Sequence, residues 1–141
     1  MFKFAKKQYL LPALIIFLLC ACKTAPVTIS EDLSPSELIQ RAQEASERRR
    51  YNTAMQYYEA LYERNSNNID LVITAEYEIA FIHYKQKDYI KAREGLNALL
   101  EHYNTPDEEL LPQHFKRLAN IVLESIDEKE SNRPLAKRER S

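Results

Sequence analysis

The sequence is almost free of glycine, has no tryptophan, and carries cysteine only near its N-terminus. Gly95 is the single glycine among 141 residues. A fold rich in β-sheet needs more glycine in its turns, so the composition predicts long helices with polar connections. Cys20 and Cys22 both precede the region with a helical pattern, so no disulfide framework is expected to hold the fold together. The expected fold class is therefore all-α.

Several kinds of chemistry are also missing from the sequence. The three histidines His83, His102 and His114 have no metal-ligand spacing with one another or with cysteine. A chain with one glycine has no glycine-rich phosphate loop, and no local pattern marks a nucleophile. We therefore expect no enzymatic activity, no metal, no cofactor and no small-molecule substrate.

The first 22 residues have the pattern of a secretory leader. A basic start is followed by the apolar run LLPALIIFLLCAC, which is shorter than the roughly 20 residues that span a bilayer. Its end, Leu19-Cys20-Ala21-Cys22, resembles the bacterial lipobox, which implies removal of residues 1–21 and lipidation of Cys22. An uncleaved helical anchor is the alternative. The lysines of the leader are Lys3, Lys6 and Lys7.

Removal of that leader changes the charge balance of the chain. Three of the 20 basic residues leave with it and none of the 21 acidic ones, so the remainder carries 17 minus 21, a net charge of −4. A nucleic-acid binder would show a strongly basic face. We therefore expect no nucleic-acid partner.

The remaining sequence divides into a tether, one helical domain and a tail. Residues 22–33 lack a helical period and are predicted to be the lipidated tether. The domain is expected over 34–128 and the charged, disordered tail over 129–141. Capping boxes with proline at the first helical position are expected at Ser34–Glu37 and Thr105–Glu108. The 3.6-residue period predicts helices over 35–49, 52–65, 69–86, 89–103 and 107–128.

Three alanines recur at a nearly constant interval. Ala42, Ala80 and Ala119 lie 38 and 39 residues apart, each among similarly spaced apolar residues. A period of this length is typical of stacked helical hairpins, which usually act as binding surfaces. A five-helix bundle without superhelical stacking is the alternative.

The helices also resemble the tetratricopeptide repeat. The residues that carry the resemblance are Tyr51, Ala54 and Tyr58, then Tyr89, Ala92 and Leu96, and finally Phe115, Leu118, Ala119 and Val122. The resemblance implies two antiparallel hairpins and one capping helix in a right-handed superhelical stack. The chain departs from the repeat at Glu76, where a large apolar residue is usual, and at Ser66 and Asn104, where proline is usual.

A lipobox, a short tether and tetratricopeptide hairpins together resemble the outer-membrane lipoproteins of the β-barrel assembly machinery, specifically the N-terminal repeats of its D subunit. This implies a periplasmic adaptor anchored in the outer membrane through Cys22. Its expected partners are a β-barrel assembly subunit or unfolded outer-membrane protein segments. The alternatives are an envelope scaffold for peptidoglycan or division machinery, or a binding module for a small ligand.

The repeat register places a partner-binding groove on the first helix of each hairpin. The predicted groove residues are Gln43, Tyr77, Phe81, Tyr84, Lys116 and Asn120. The three aromatic residues have the i, i+4, i+7 spacing of one helix face, which is also the spacing of a buried core stripe. The run Arg48–Arg50 either complements the end of the first helix or forms a docking patch for an acidic partner or lipid head groups.

Overall fold

The computed structural model describes residues 27–132, and within that range all of the regular secondary structure is helical. Its helices are α1 (Pro35–Glu47), α2 (Tyr51–Arg64), α3 (Ile69–Lys85), α4 (Tyr89–Glu101) and α5 (Gln113–Ser131), with a short 3₁₀ turn at Glu108–Leu110. The predicted all-α class is confirmed, and the first four helices lie within two residues of their predicted bounds. The predicted leader, the lipidation site Cys22 and most of the predicted tail lie outside the described residues. None of the described helices is both long and apolar enough to cross a membrane.

The N-terminus of α1 has the capping box that the sequence predicts. The Glu37 amide donates to the Ser34 hydroxyl at 3.4 Å, and the Ser34 amide donates to the Glu37 carboxylate at 2.9 Å. Pro35 occupies the first helical position, where its missing N–H costs nothing. The box fixes the start of the first hairpin.

The second predicted capping box is wrong. The Thr105 hydroxyl donates to the His102 carbonyl at 3.2 Å, and α5 begins only at Gln113. Pro112 explains the difference, because the residue before a proline is excluded from the helical region. Leu111 is accordingly extended, with φ −85° and ψ 157°. A helix starting at 107 cannot continue through that position.

The two hairpins close with the same turn. Arg49 at the end of α1 has φ 57°, and Lys87 at the end of α3 has φ 65°. In each turn the amide of the next residue donates to a carbonyl five residues earlier, at 2.8 Å in the first hairpin and 2.9 Å in the second. This left-handed ending is a common way to stop a helix and reverse the chain. It sets α1 against α2, and α3 against α4, as antiparallel pairs.

Helix α3 lies at the centre of the domain and contributes to two apolar cores. Ala75 and Ile82 pack into the core with α1 and α2, whereas Ile73, Tyr77 and Ala80 pack into the core with α4 and α5. Helix α5 contacts both α3 and α4. Its predicted buried stripe is mostly confirmed, since Phe115, Ala119, Val122 and Ile126 are buried, while Leu118 is 38% exposed. Leu111 is half-buried.

Residues 27–33, predicted as the last part of the tether, lie against the first hairpin. Val27, Ile29 and Leu33 pack on its apolar core. The Val27 amide donates to Gln56 at 2.8 Å, and the Arg64 guanidinium donates to the Ser30 carbonyl at 2.9 Å. Residues 27–33 therefore belong to the packed domain, and residues 22–26 of the predicted tether lie outside the described residues.

Candidate partner-binding surfaces

Tyr77, Phe81 and Tyr84, which the sequence places on one face of α3, are here termed the aromatic strip. The structure places Tyr77, the first of them, in the core. Tyr77 is 6% exposed, and its ring centroid lies 5.2 Å from that of Phe115 on α5 and 5.7 Å from that of Phe81. Burial raises the pKa of its hydroxyl to about 12, since the phenolate is disfavoured away from water. Tyr77 thus joins α3 to α5.

The other two aromatic residues of the strip are half-buried at its edge. Phe81 and Tyr84 stack with ring centroids 5.8 Å apart. The Tyr84 hydroxyl is hydrogen-bonded to Ser125 on α5 at 2.7 Å, and the Lys85 ammonium lies 4.7 Å from the Phe81 ring centroid. The aromatic strip therefore runs from the buried core at Tyr77 to a partly open surface at Phe81.

Two predicted groove residues from different helices meet at that surface. Gln43 and Phe81 line a cavity of about 260 Å³ between α1 and α3, here termed the Phe81 cavity. Lys85 also lines it and donates to the Ser46 hydroxyl at 3.3 Å. The complete lining is Gln43, Ser46, Glu47, Tyr58, Glu78, Phe81 and Lys85. Much of its polar wall is already engaged within the protein.

Glu78 is the unusual titratable group of the Phe81 cavity. Burial raises the pKa of its carboxyl above the ordinary value, while Lys85 and a hydrogen bond with the Tyr58 hydroxyl act in the opposite direction. Burial, reinforced by Glu78, likewise raises the pKa of Tyr58. The ionised form of Glu78 is therefore disfavoured in the folded protein relative to an exposed glutamate.

The remaining predicted groove residues lie on α5, and neither lines the Phe81 cavity. The Lys116 ammonium lies 2.5 Å from the Glu108 carboxylate and 5.6 Å from the Tyr103 ring centroid. The Asn120 side chain is exposed and donates to the backbone carbonyl of Lys116 at 2.8 Å. The structure thus brings Gln43 and Phe81 together but not all six predicted groove residues.

A larger cavity lies on the opposite side of α3, between α2, α3 and α4. This inter-hairpin cavity has a volume of about 460 Å³. Its apolar lining is Ile79, Ala80, Gly95 and Ala98, and its polar and aromatic lining is Glu59, Tyr62, Glu63, Glu76, His83, Lys91 and Glu94. The cavity therefore combines small apolar side chains with four carboxylates.

Gly95 allows α4 to approach α3 at the apolar side of this cavity. A Cβ atom built on Gly95 would lie 2.9 Å from the Cβ atom of Ala80, closer than such atoms ordinarily come. The single glycine of the chain is thus explained by packing, because its backbone lies directly against a side chain of the neighbouring helix.

Only part of the charge around the inter-hairpin cavity is neutralised by neighbours. Glu76 is hydrogen-bonded to His102 at 2.8 Å, and Lys91 lies 3.7 Å from Asp88. Glu59, Glu63 and Glu94 have no ion-pair partner among residues 27–132. In the same part of the chain, the buried Nδ1 atom of His83 has no hydrogen-bond partner. This arrangement fits a peptide segment in which an apolar side chain is next to a positively charged one.

The sequence marks Ala80 as one of the three recurring alanines but predicts no cavity beside it. The signal that could have located the inter-hairpin cavity is the pairing of Ala80 with Gly95, the smallest side chains of two adjacent helices. The glutamates came from three different helices, so only the folded structure shows that they surround one opening.

Comparisons with known proteins show that the chain is similar to a bacterial protein. It is 33% identical over 113 residues to an uncharacterized protein of Treponema pallidum strain Nichols, an alignment that covers 79% of this chain and 45% of that protein. The chain thus spans less than half the length of the curated relative it matches. No family model matches the sequence, and no solved structure matches it.

Proposed function

We propose that the chain is a lipid-anchored adaptor of the tetratricopeptide type that holds a protein partner in the bacterial envelope, in outer-membrane protein assembly. The observation that carries the proposal is the inter-hairpin cavity, which is apolar at its base, acidic around it and formed between two hairpins of the same design. Arrays of stacked helical repeats usually bind partners on the extended surfaces that their units form together, and clefts between helices are common binding sites.

The tetratricopeptide assignment is supported by the packing of the repeated positions. Ala42 and Ala119 are 0% exposed and Ala80 is 1% exposed, so all three allow close helix contacts. The identical turns at Arg49 and Lys87 repeat at the alanine interval of 38 residues. Helix α5 packs on α3 and α4, as a capping helix for the second hairpin is expected to do.

The chemistry of the cavity specifies the kind of partner segment. Glu59, Glu63 and Glu94 favour a cationic segment, and the small apolar side chains accept an aliphatic or aromatic anchor. The partner segment therefore carries an apolar side chain beside Lys or Arg. A strongly acidic segment is disfavoured because it would place like charges together.

Anchoring through Cys22 is part of the proposal and rests on the lipobox resemblance of the sequence. Val27 is held against α2, so a lipid on Cys22 keeps the domain close to the membrane. In the outer membrane, this arrangement presents the cavities to the periplasm.

Photo-cross-linking tests the adaptor function in cells. A photoreactive residue replaces Tyr62, which is 42% exposed and lines the inter-hairpin cavity. Ile121 on α5, which is 59% exposed, receives the same residue as the matched control. We expect the position at Tyr62, and not the control, to cross-link to the large barrel subunit of the assembly machinery.

Each outcome of this experiment decides between the functions considered. Reproducible absence of the barrel subunit from the Tyr62 cross-links contradicts the role in outer-membrane protein assembly. Recovery of peptidoglycan or division proteins in its place supports the envelope scaffold. Equal cross-linking at both positions contradicts binding at the inter-hairpin cavity.

A further inference from the structure

The described chain begins beside the first turn of α2. The Gln56 side chain accepts a hydrogen bond from the Val27 amide at 2.8 Å and donates one to the Asn52 carbonyl at 3.2 Å. Since Asn52 is the second residue of α2, Val27 is held close to the turn that precedes that helix. From Val27 the chain then runs along α2 to the start of α1.

That turn is the most basic run of the described chain. Arg48, Arg49 and Arg50 are all exposed, and none of them forms an ion pair with a carboxylate in residues 27–132. Lys87 occupies the corresponding turn of the second hairpin. Because both turns join a first helix to a second, they lie at the same end of the stack, here termed the basic end. The acidic last turns of α5 also lie there, where Arg93 pairs with Asp127 and Glu130.

The opposite end of the stack carries the other sign of charge. It contains the start of α1, the α2–α3 connection and the α4–α5 connection. The acidic residues there are Glu31, Asp32, Glu37, Glu63, Asp70, Glu101, Asp107, Glu108 and Glu109. The basic residues near them are Arg41, one helical turn from Glu37, together with Arg64, Lys116 and Arg117. Arg64 donates to the Ser30 carbonyl and Lys116 pairs with Glu108, so acidic residues remain in excess at this end.

We propose that the basic end faces the bilayer and that Arg48–Arg50 bind anionic lipid head groups. The inference rests on the anchoring at Cys22 in the proposed function. Five residue steps separate Cys22 from Val27, so they span at most about 17 Å. The basic end therefore lies within reach of the membrane surface. The acidic end lies further away by about 25 Å, the length of a 17-residue helix such as α3.

The electrostatics favour this orientation over its reverse. Exposed arginines near an anionic bilayer are attracted over a Debye length of about 8 Å at physiological salt. The acidic end is repelled over the same distance. With the basic end down, the inter-hairpin cavity stands along the side of the stack, where a periplasmic partner can enter it.

Fluorescence quenching in proteoliposomes tests the orientation. The chain from Cys22 onward carries a fluorophore on an azide-bearing residue at Gln86, at the basic end, or at Ser66, at the acidic end; both positions are exposed. The vesicles contain phosphatidylethanolamine with phosphatidylglycerol and a head-group quencher. We expect stronger quenching at Gln86 than at Ser66, and a smaller difference when Arg49→Gln and Arg50→Gln are combined.

A matched pair of substitutions controls for net charge. Arg41→Gln with Arg117→Gln also removes two exposed positive charges and is expected to leave the quenching ratio unchanged. The chain with Cys22→Ser is also titrated with the same vesicles. Loss of Arg49 and Arg50 is expected to weaken that binding about tenfold, whereas the control pair changes it less than twofold. Vesicles of phosphatidylcholine alone are expected to abolish the difference.

The design separates failure of the anchoring from failure of the orientation. Mass spectrometry of the chain from cells shows whether Cys22 is acylated; if it is not, the anchoring in the proposed function fails. The orientation is then still measured on chains coupled at Cys22 to a maleimide phospholipid. Equal quenching at Gln86 and Ser66 in anionic vesicles, or equal effects of the two double substitutions, overturns the membrane-facing basic end.

Discussion

The two faces of α3 show how one helix can be closed on one side and open on the other. On the side toward α5, Tyr77 is 6% exposed and packs against Phe115, so bulky rings fill the space between the helices. On the side toward α2 and α4, Ile79 and Ala80 border a cavity of about 460 Å³. The same helix thus packs into a core on one side and borders a cavity on the other.

The size of the side chains accounts for the difference. The Tyr77 and Tyr84 side chains reach across to Phe115 and Ser125 of α5. On the other side, Gly95 lets the backbone of α4 lie directly against the Ala80 side chain of α3. Beside that contact, the exposed glutamates Glu59 and Glu63 of α2 border the space without filling it. An opening therefore remains on the side where the side chains are small.

The largest expected effect breaks the closed face. Tyr77→Ala removes a buried ring and leaves a cavity, so we expect the free energy of unfolding to fall by about 3 kcal/mol or more. Phe81→Ala removes a half-buried ring and is expected to cost about 1–2 kcal/mol. Urea unfolding followed by circular dichroism measures both. If the two variants lost the same unfolding free energy, this would contradict the division of the aromatic strip into a buried part at Tyr77 and a partly open part at Phe81.

The next effect concerns the close approach of α3 and α4. Gly95→Ala places a Cβ atom against Ala80, and the overpacking cost of about 1–3 kcal/mol outweighs the gain in helix propensity of about 1 kcal/mol. We expect a net loss of about 1 kcal/mol in thermal or urea unfolding. The control Asn97→Ala, at an exposed position of α4, is expected to gain a few tenths of a kcal/mol. Adding Ala80→Gly to Gly95→Ala should restore part of the lost stability. No recovery would contradict a clash between the new Cβ atom and Ala80.

A pH-dependent effect sharpens the comparison at the Phe81 cavity. The folded-state pKa of Glu78 is raised, so the folded protein holds its proton more tightly than the unfolded chain does. The native state therefore loses stability as the pH rises from about 4 through that raised pKa. Relative to Glu78→Gln, we expect the wild type to become progressively less stable over this range in urea unfolding. A stability difference between wild type and Glu78→Gln that stays constant with pH would contradict the raised pKa of Glu78. The control is Glu44→Gln on the exposed side of α1, for which no such pH dependence is expected.

Much of the fold could be predicted from the sequence because it is encoded locally. The helical period and the Ser34 capping box located four helices closely. The capping pattern at Thr105 predicts too early a start for α5, because Pro112 disfavours the helical conformation at Leu111, which is extended.

The candidate site could be predicted less well because it depends on contacts between distant residues. Periodicity placed Tyr77 and Phe81 on one face of α3 but could not tell which part of that face α5 covers. The inter-hairpin cavity depends on the depth to which α4 approaches α3, which Gly95 sets. It also depends on glutamates from three helices, which no local pattern connects.

The smallest expected effect tests the turn that sets the register of α3 against α4. Lys87 holds a positive φ that disfavours a side chain, so Lys87→Gly is expected to stabilise the protein by about 0.5–1 kcal/mol. Arg49→Gly should act similarly in the first hairpin. Gln86→Gly, where φ is −77°, is the control and should not stabilise. Thermal unfolding of the three variants checks this, and a loss at Lys87 equal to that at Gln86 would contradict the shared turn.

Peptide binding to the purified chain tests most directly the claim that the open face of α3 receives the partner. Peptides selected from a random library are titrated against the wild type and against Glu59→Gln combined with Glu63→Gln. We predict that the selected peptides carry an apolar residue beside Lys or Arg. The double substitution should lower the affinity for the selected peptides about tenfold. Phe81→Ala should change that affinity less than twofold, and so should the control that combines Glu44→Gln with Glu124→Gln. Selection of acidic peptides, or binding that depends on Phe81 and not on Glu59 and Glu63, would contradict the account.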